Sequence, residues 1–331
     1  MKARSGNEQR QATTVSMDRG EQGVRYVDID DARAGQRLDN FLLGQLKGVP
    51  RSHVYRVLRR GEVRVNRRRA APDYRLQSGD RVRIPPLRMC AAPQAARPGA
   101  FEWLRDRITY EDDDLLVLDK PAGLAVHGGS GVAVGLIEAL RALRPDVPDL
   151  ELVHRLDRDT SGCLLLAKRR PALLALHTAL REGRVEKRYL ALVRGRWRGG
   201  TRRISAPLAA ERRSGERRID VHEAGRAAES AFTPKGHYGP ATLMEILLYT
   251  GRTHQARVHA AHAGHPIAGD DKYGSRDFNR ELRRLGLRRL FLHAARVQFA
   301  HPASGARIRL DAPLPRELNE ILERLREQPA V

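Results

Sequence analysis

Apolar side chains recur along the chain with two different periods, and the change of period divides it. In RLDNFLLGQL, Leu38, Phe41, Leu42 and Leu46 fall three or four residues apart, which predicts a helix with one apolar face. SHVYRVLRRG predicts a second helix, with Ser52 as candidate N-cap and Gly61 as candidate C-cap. In EVRVN, Val63 and Val65 alternate with polar residues as in a strand. A basic loop from Arg67 to Arg69 follows, and GDRVRIPP predicts a Gly-Asp turn and a short strand. Residues 35–86 therefore read as a small domain of two helices feeding a small sheet. Residues 1–30 are polar, with few large apolar side chains, and are expected to form a disordered tail. Residues 87–102, rich in Ala and Pro, read as a linker.

From 103 to 327 the pattern changes to short apolar runs: DLLVLDK, CLLLAK, YLALVRG, TLMEILLYT and FLHAARVQF. Helical stretches such as PALLALHTALREG and THQARVHAAHAG interrupt them without strict alternation. This predicts an α+β domain with a largely antiparallel mixed sheet flanked by helices. A last helix, about 315–327, is expected on the sheet edge. No internal repeat of fixed period stands out.

Composition narrows the class. The chain has 331 residues, long enough for two domains. Its 61 Lys and Arg against 40 Asp and Glu leave a formal net charge of +21. Self-repulsion on that scale points to a polyanionic partner, nucleic acid first. No apolar run approaches the roughly 18–20 residues of a membrane span. The polar N-terminus lacks the apolar core of a signal peptide. With only two cysteines, Cys90 and Cys163, neither a disulfide framework nor a cysteine zinc site is expected. These features predict a soluble cytoplasmic protein with no membrane partner.

Four stretches hold candidate chemistry. In LVHRLDRDTSGCLLLAKRR, Asp157 and Asp159 alternate with arginines just before an apolar strand. In extended chain the two carboxylates would point the same way. Thr160-Ser161-Gly162 is turn chemistry, and Gly162 supplies positive φ if needed. The plainer reading makes these solvated charges paired with Arg155 and Arg158. In YTGRTHQARVHAAHAGHPIAGDDKYG, Thr253 is a candidate helix cap and Arg252 stands just before that helix. His254, His259, His262 and His265 lack the usual zinc spacing, so core packing or RNA contact is expected of them, and no metal. In EKRYLALVRG, Tyr189 follows two cations and by spacing alone is an ordinary strand aromatic. DKPAGLAVHGGSG is glycine-rich but fits neither a phosphate loop nor a dinucleotide fingerprint. Nucleoside-triphosphate hydrolysis and hydride transfer lose support there.

HRLDRDTSG resembles the signature of the RluA-type pseudouridine synthases, and KPAGLAVHGG, KRYLALV and GRTHQARVH resemble that family's other motifs. The segment from Arg37 to Pro85 resembles an S4 RNA-binding domain. The resemblance implies detachment of a uridine base in RNA and its reattachment through carbon 5, without cofactor or metal. Uridines of 23S ribosomal RNA, or of a large-subunit assembly intermediate, are the expected substrate. DNA is not an expected partner, and the enzyme is expected to be a monomer. Alternatives are another RNA, such as transfer RNA or a different ribosomal helix, and a non-catalytic RNA-binding assembly factor. By position in the motifs, Asp157 is the implied catalytic carboxylate, with Arg252 as its ion-pair partner. Tyr189 is implied to stack on the base, Arg155 to fill the space the base leaves, and Leu292 to border the pocket. Nearby cations would favour the charged form of such a carboxylate. Arg56, Arg59, Arg60, Arg64, Arg67, Arg68 and Arg69, clustered in the S4-like segment, are expected to contact phosphates.

Overall fold

The computed structural model describes residues 23–31, 33–46, 49, 51–86, 99–128, 134–213 and 216–327. The chain divides into two compact units, Met1–Ala92 and Pro93–Val331. The proposed linker lies mostly outside the described residues, as does Cys90.

The first unit contains β1 (Arg25–Asp28), α1 (Leu38–Gln45), α2 (Arg51–Arg60), β2 (Arg64–Val65) and β3 (Arg81–Ile84). The strands pair in the order β1-β3-β2. All four apolar residues that predicted α1 are buried, with Val54, Val57, Val63, Val65, Val82 and Ile84 around them. The helix α2 starts at Arg51, so Ser52 lies inside its first turn rather than at the cap. Gly61 ends the helix at φ +69, and a Cβ there would strike the Arg69 side chain. Buried Asp80 fixes the turn into β3. Its carboxylate accepts from the Gln77 backbone N–H, the Tyr74 hydroxyl and the Asn66 amide. The expected tail is corrected at its C-terminal end, because residues 25–28 form β1. That strand is mostly exposed and attaches through backbone pairing to β3, a bond type that leaves little hydrophobic trace in sequence.

The second unit continues with β4 (Ile108–Glu111), β5 (Leu115–Lys120), α3 (Leu136–Leu143), β6 (Glu151–Leu152), β7 (Ser161–Ala167), α4 (Arg170–Arg181), β8 (Glu186–Arg194) and β9 (Arg202–Ser205). A hairpin, β10 (Leu208–Arg213) and β11 (Glu216–Val221), precedes β12 (Glu229–Tyr238) and β13 (Ala241–Leu248). Then come α5 (Gln255–His262), α6 (Arg276–Arg284), β14 (Leu292–Ala300), β15 (Arg307–Asp311) and α7 (Arg316–Glu327). Among the described residues, one sheet runs β4-β5-β7-β14-β8-β13-β12-β9, with β6 on β7 and β15 on β14. It is antiparallel except for the β7–β14 pair, so the expected mixed, largely antiparallel α+β architecture holds.

Every residue of β7 is buried, which is why SGCLLLA reads as a continuous apolar run rather than an alternation. Leu164 and Leu166 face one core, and Cys163, Leu165 and Ala167 the other, against Leu173 and Leu176 of α4. The parallel pairing demands Gly162. Its φ is +107, and a Cβ would stand 2.3 Å from the Ala294 carbonyl oxygen. The last helix, expected at the sheet edge, instead covers part of a sheet face. Leu318, Ile321 and Leu322 join one core with Leu192 of β8, Leu243 of β13 and Phe291.

Candidate active site

Asp157 sits on the loop that enters β7, and the loop is not extended. The Thr160 N–H donates to the Asp157 carbonyl at 3.2 Å, closing a turn. The two aspartates consequently have different fates. Asp159 is exposed and lies 3.8 Å from Arg158, as the plainer reading expected. Asp157 is only 18% exposed and turns toward α5.

Lys120 clamps this loop from the end of β5. Its fully buried ammonium donates to the carbonyls of Pro121, Leu124 and Arg158 at 2.7, 2.8 and 2.9 Å. Burial pushes the amine down to about 7, while three carbonyl acceptors require three N–H donors and so hold the ammonium form. Gly123 N–H also donates to the Arg158 carbonyl, at 2.9 Å. The DKPAG stretch thus works as a buttress for the aspartate loop. Residues 129–131 of the same motif fall outside the described residues. His154 secures the other side, accepting the Leu165 N–H at Nε2, 3.2 Å away. Burial pushes its imidazole down to about 4, so it stays neutral there.

The cation that meets Asp157 is Arg257, not Arg252. Arg257 Nη1 donates to Asp157 Oδ2 at 3.3 Å. Its other edge grips Asp270 in a fork, Nε to Oδ2 at 2.7 Å and Nη2 to Oδ1 at 2.8 Å. Asp270 is fully buried and also accepts the backbone N–H groups of Lys272 and Tyr273. Burial alone would raise the Asp270 carboxyl, but the Arg257 guanidinium and these N–H donors hold it below the usual carboxylate range.

The expected Asp157–Arg252 pairing is therefore corrected, and the local backbone explains it. Gln255 Oε1 accepts the Arg252 N–H at 3.0 Å and the Thr250 hydroxyl at 2.7 Å, fixing a turn ahead of α5. The exposed Arg252 side chain then donates from Nε to the Ala227 carbonyl at 3.0 Å. Arg257, within the first turn of α5, is the arginine the helix delivers to the aspartate. Nor is Thr253 the cap. His254 occupies that position in the left-handed region, at φ 55, with no side-chain capping bond. This kink brings His254 Nε2 to 3.9 Å from Asp157 Oδ2, while its Nδ1 lies 2.8 Å from the Tyr273 hydroxyl. The Ile219 N–H of β11 donates to that hydroxyl at 3.1 Å. His259 is fully buried against Ser230 and the Ala206 carbonyl, and has a packing role.

Asp157, Tyr189, Arg252, His254, Arg257 and Leu292 line one cavity of about 440 Å³, within the range of small-molecule sites. Tyr189, from β8, is buried in its wall, and burial together with the Asp157 charge raises its phenol. Leu292, 3% exposed, borders the same wall at the start of β14. Arg155 lines the cavity and is exposed. The sequence reading missed Arg257, Asp270, His254 and Lys120. For Arg257 there was a usable signal. It stands among small and apolar residues in QARVHAAH, and a cation on a packed helix face needs a carboxylate.

In the first unit, Arg56, Arg59, Arg60, Arg64, Arg67, Arg68 and Arg69 are all exposed. Several of them bond to backbone carbonyls, Arg59 to Tyr55, Arg64 to Arg67 and Arg69 to Arg60. Arg60 also lies 3.8 Å from Glu62.

A half-buried carboxylate with a fixed arginine, beside a buried tyrosine in a nucleoside-sized cavity, is joined in sequence to a basic helix-and-hairpin unit. Residues 114–262 match the RNA pseudouridylate synthase family, and residues 36–82 match the S4 domain. The chain belongs to the RluA-type pseudouridine synthases, which are isomerases. Ribosomal large subunit pseudouridine synthase C of Pasteurella multocida (strain Pm70) is 53% identical over 311 residues, covering 93% of this chain and 95% of that protein. The protein of the same name from Escherichia coli (strain K12) is 52% identical over 309 residues, covering 92% and 97%. Among solved structures, human RNA pseudouridylate synthase domain containing 4 superposes with a TM-score of 0.56 at 26% identity, covering 68% of this chain and 95% of that one. Among the described residues, no helix is long and apolar enough to cross a membrane.

Proposed function

We propose that this chain isomerises several uridines of 23S ribosomal RNA to pseudouridine, in the cytoplasm where that RNA is assembled. The observation that carries the reading is Asp157, held by Arg257 inside a cavity that Tyr189 and Leu292 wall. Relatives more than half identical over nearly their full length are named for the ribosomal large subunit, which supports the substrate. The target nucleotide must leave its stack, because a stacked uridine hides both the glycosidic bond and carbon 5. Tyr189 then stacks on the everted base, Leu292 borders it, and Arg155 occupies the space it leaves. Asp157 is the reacting carboxylate. Arg252, exposed on the cavity rim, contacts RNA rather than Asp157. A pseudouridine map of 23S RNA from a strain lacking the gene tests this. Specific sites are expected to revert to uridine and to be restored by the wild-type gene. A map identical to that of the parent strain overturns the substrate assignment.

The exposed arginines of the first unit serve as phosphate contacts in this reading. Replacing Arg67, Arg68 and Arg69 together by Ala is expected to weaken RNA binding across sequences. The slope of log affinity against log salt should fall by about 1 for each phosphate that the variant no longer neutralises. Filter binding at several salt concentrations measures it, and an unchanged slope removes the basic turn from the RNA interface.

A further inference from the structure

The cavity is lined by a further cation, Lys187, whose surroundings do not account for it. Lys187 lies two residues before Tyr189 on β8, so the two side chains share one face of the strand and line the same cavity. Lys187 is 8% exposed. Its Nζ lies beside the Gly251 backbone in the turn before α5, where a Cβ would stand 3.8 Å away. Burial lowers its pKa, with no offsetting charge among the described residues. Among the described residues, no hydrogen bond or ion pair reaches its ammonium. This contrasts with Lys120, whose three carbonyl partners account for its burial. A largely buried ammonium without a partner is costly, so a structural lysine here would be a poor choice against methionine. The cost is offset when an acceptor oxygen arrives with the substrate, and most of all when negative charge builds on that oxygen.

We propose that Lys187 donates a hydrogen bond to a uracil carbonyl oxygen and stabilises the negative charge that builds on the base during isomerisation. The inference rests on the uridine-isomerising reading and names a residue for its charge-separated step. When the bond from C1′ to N1 breaks, its electron pair stays on the base and spreads from N1 to O2 and O4. The sugar carbon either takes a new bond from the Asp157 carboxylate or loses its C2′ proton. If the carboxylate instead adds to C6, the pair pushed out of the C5–C6 bond comes to rest on O4. Every route leaves an anionic base and moves no proton from Lys187. A fixed donor at the carbonyl is worth more at that stage than to the neutral uracil, so it acts on kcat.

The test uses unmodified 23S RNA transcripts made with uridine or with 5-fluorouridine. Fluorine withdraws electrons and stabilises the anionic base by itself. Under single turnover, mass spectrometry of nucleosides follows pseudouridine from uridine and the C5-linked, C6-hydrated product from 5-fluorouridine, whose C5 has no proton to lose; filter binding gives affinity. Lys187→Met is expected to leave affinity within about twofold and to slow uridine conversion by about 10²–10³-fold. The loss on 5-fluorouridine RNA is expected to be at least about tenfold smaller, a difference that a purely structural role would not produce. Lys187→Arg keeps the charge and should retain more of the rate than Met. Should thermal unfolding show that Lys187→Met does not fold, Lys187→Gln makes the same comparison. Equal losses on the two RNAs, an unchanged rate, or lost affinity with kcat intact each overturn the inference. The last outcome assigns Lys187 to a backbone phosphate. Absence of conversion by the wild-type protein itself would instead remove the reaction on which the inference rests.

Discussion

Asp157→Asn is expected to lower isomerisation by about 10⁴-fold or more and to leave RNA affinity nearly unchanged. Asn has the shape of Asp and keeps an oxygen that can accept from Arg257 Nη1, so the loop has no steric reason to move. An amide, however, neither forms a bond to a sugar carbon or ring carbon nor takes up a proton at neutral pH. The substitution removes the one group whose chemistry the reaction needs. Stability should change by no more than about 1 kcal/mol, because Arg257 keeps its two-bond grip on Asp270. Tritium release from RNA labelled at carbon 5 of uridine measures the chemistry, and filter binding measures the complex. A variant within tenfold of wild type would mean that another group does the work assigned to Asp157. Tritium release by the wild-type protein alone also excludes a purely RNA-binding role.

Sequence and structure agree where burial is continuous and part where a partner is chosen. The central strand β7, both helices of the first unit and the large sheet were legible because each leaves a hydrophobic period. The placement of Asp157, Tyr189 and Leu292 along one cavity wall followed the motif positions that suggested it. The choice between Arg252 and Arg257 did not. It depends on Gln255 folding back to accept two donors and on His254 adopting a left-handed backbone, and neither event shows in an apolar pattern. Asp270 was invisible for a related reason. In DDKYG the first Asp is fully buried and the second is exposed, and only the three-dimensional position of Arg257 separates them. The strand β1 was lost because its hold on the sheet is made by backbone groups.

Arg257→Met should be the most damaging single change at the site after loss of the aspartate, and Arg252→Met a mild one. Among the described residues, removing the Arg257 guanidinium leaves the buried Asp270 carboxylate with only backbone donors, and breaking a buried pair in this way costs about 3–5 kcal/mol. It also strips Asp157 of its guanidinium, so activity falls with stability. Arg252 is exposed and bonded to one backbone carbonyl, so its replacement should cost under about 1 kcal/mol and act through RNA contact. The pair also fixes a pH signature. Asp270 has a folded pKa below its ordinary 3.8, so its stabilising contribution is complete above the unfolded value and is lost as pH falls through the folded one. Chemical denaturation from pH 7 down to about 2 should show this loss below the unfolded value in the wild type and in Arg252→Met, and much less of it in Arg257→Met. A second replacement separates stability from chemistry. In Arg257→Met with Asp270→Leu, the orphaned carboxylate is gone and the apolar pair fills the space, so much of the lost stability should return. Isomerisation should not return with it, because Asp157 would still lack its partner. Recovery of both together would reduce Arg257 to a structural strut, and Asp157 would then need no fixed cation.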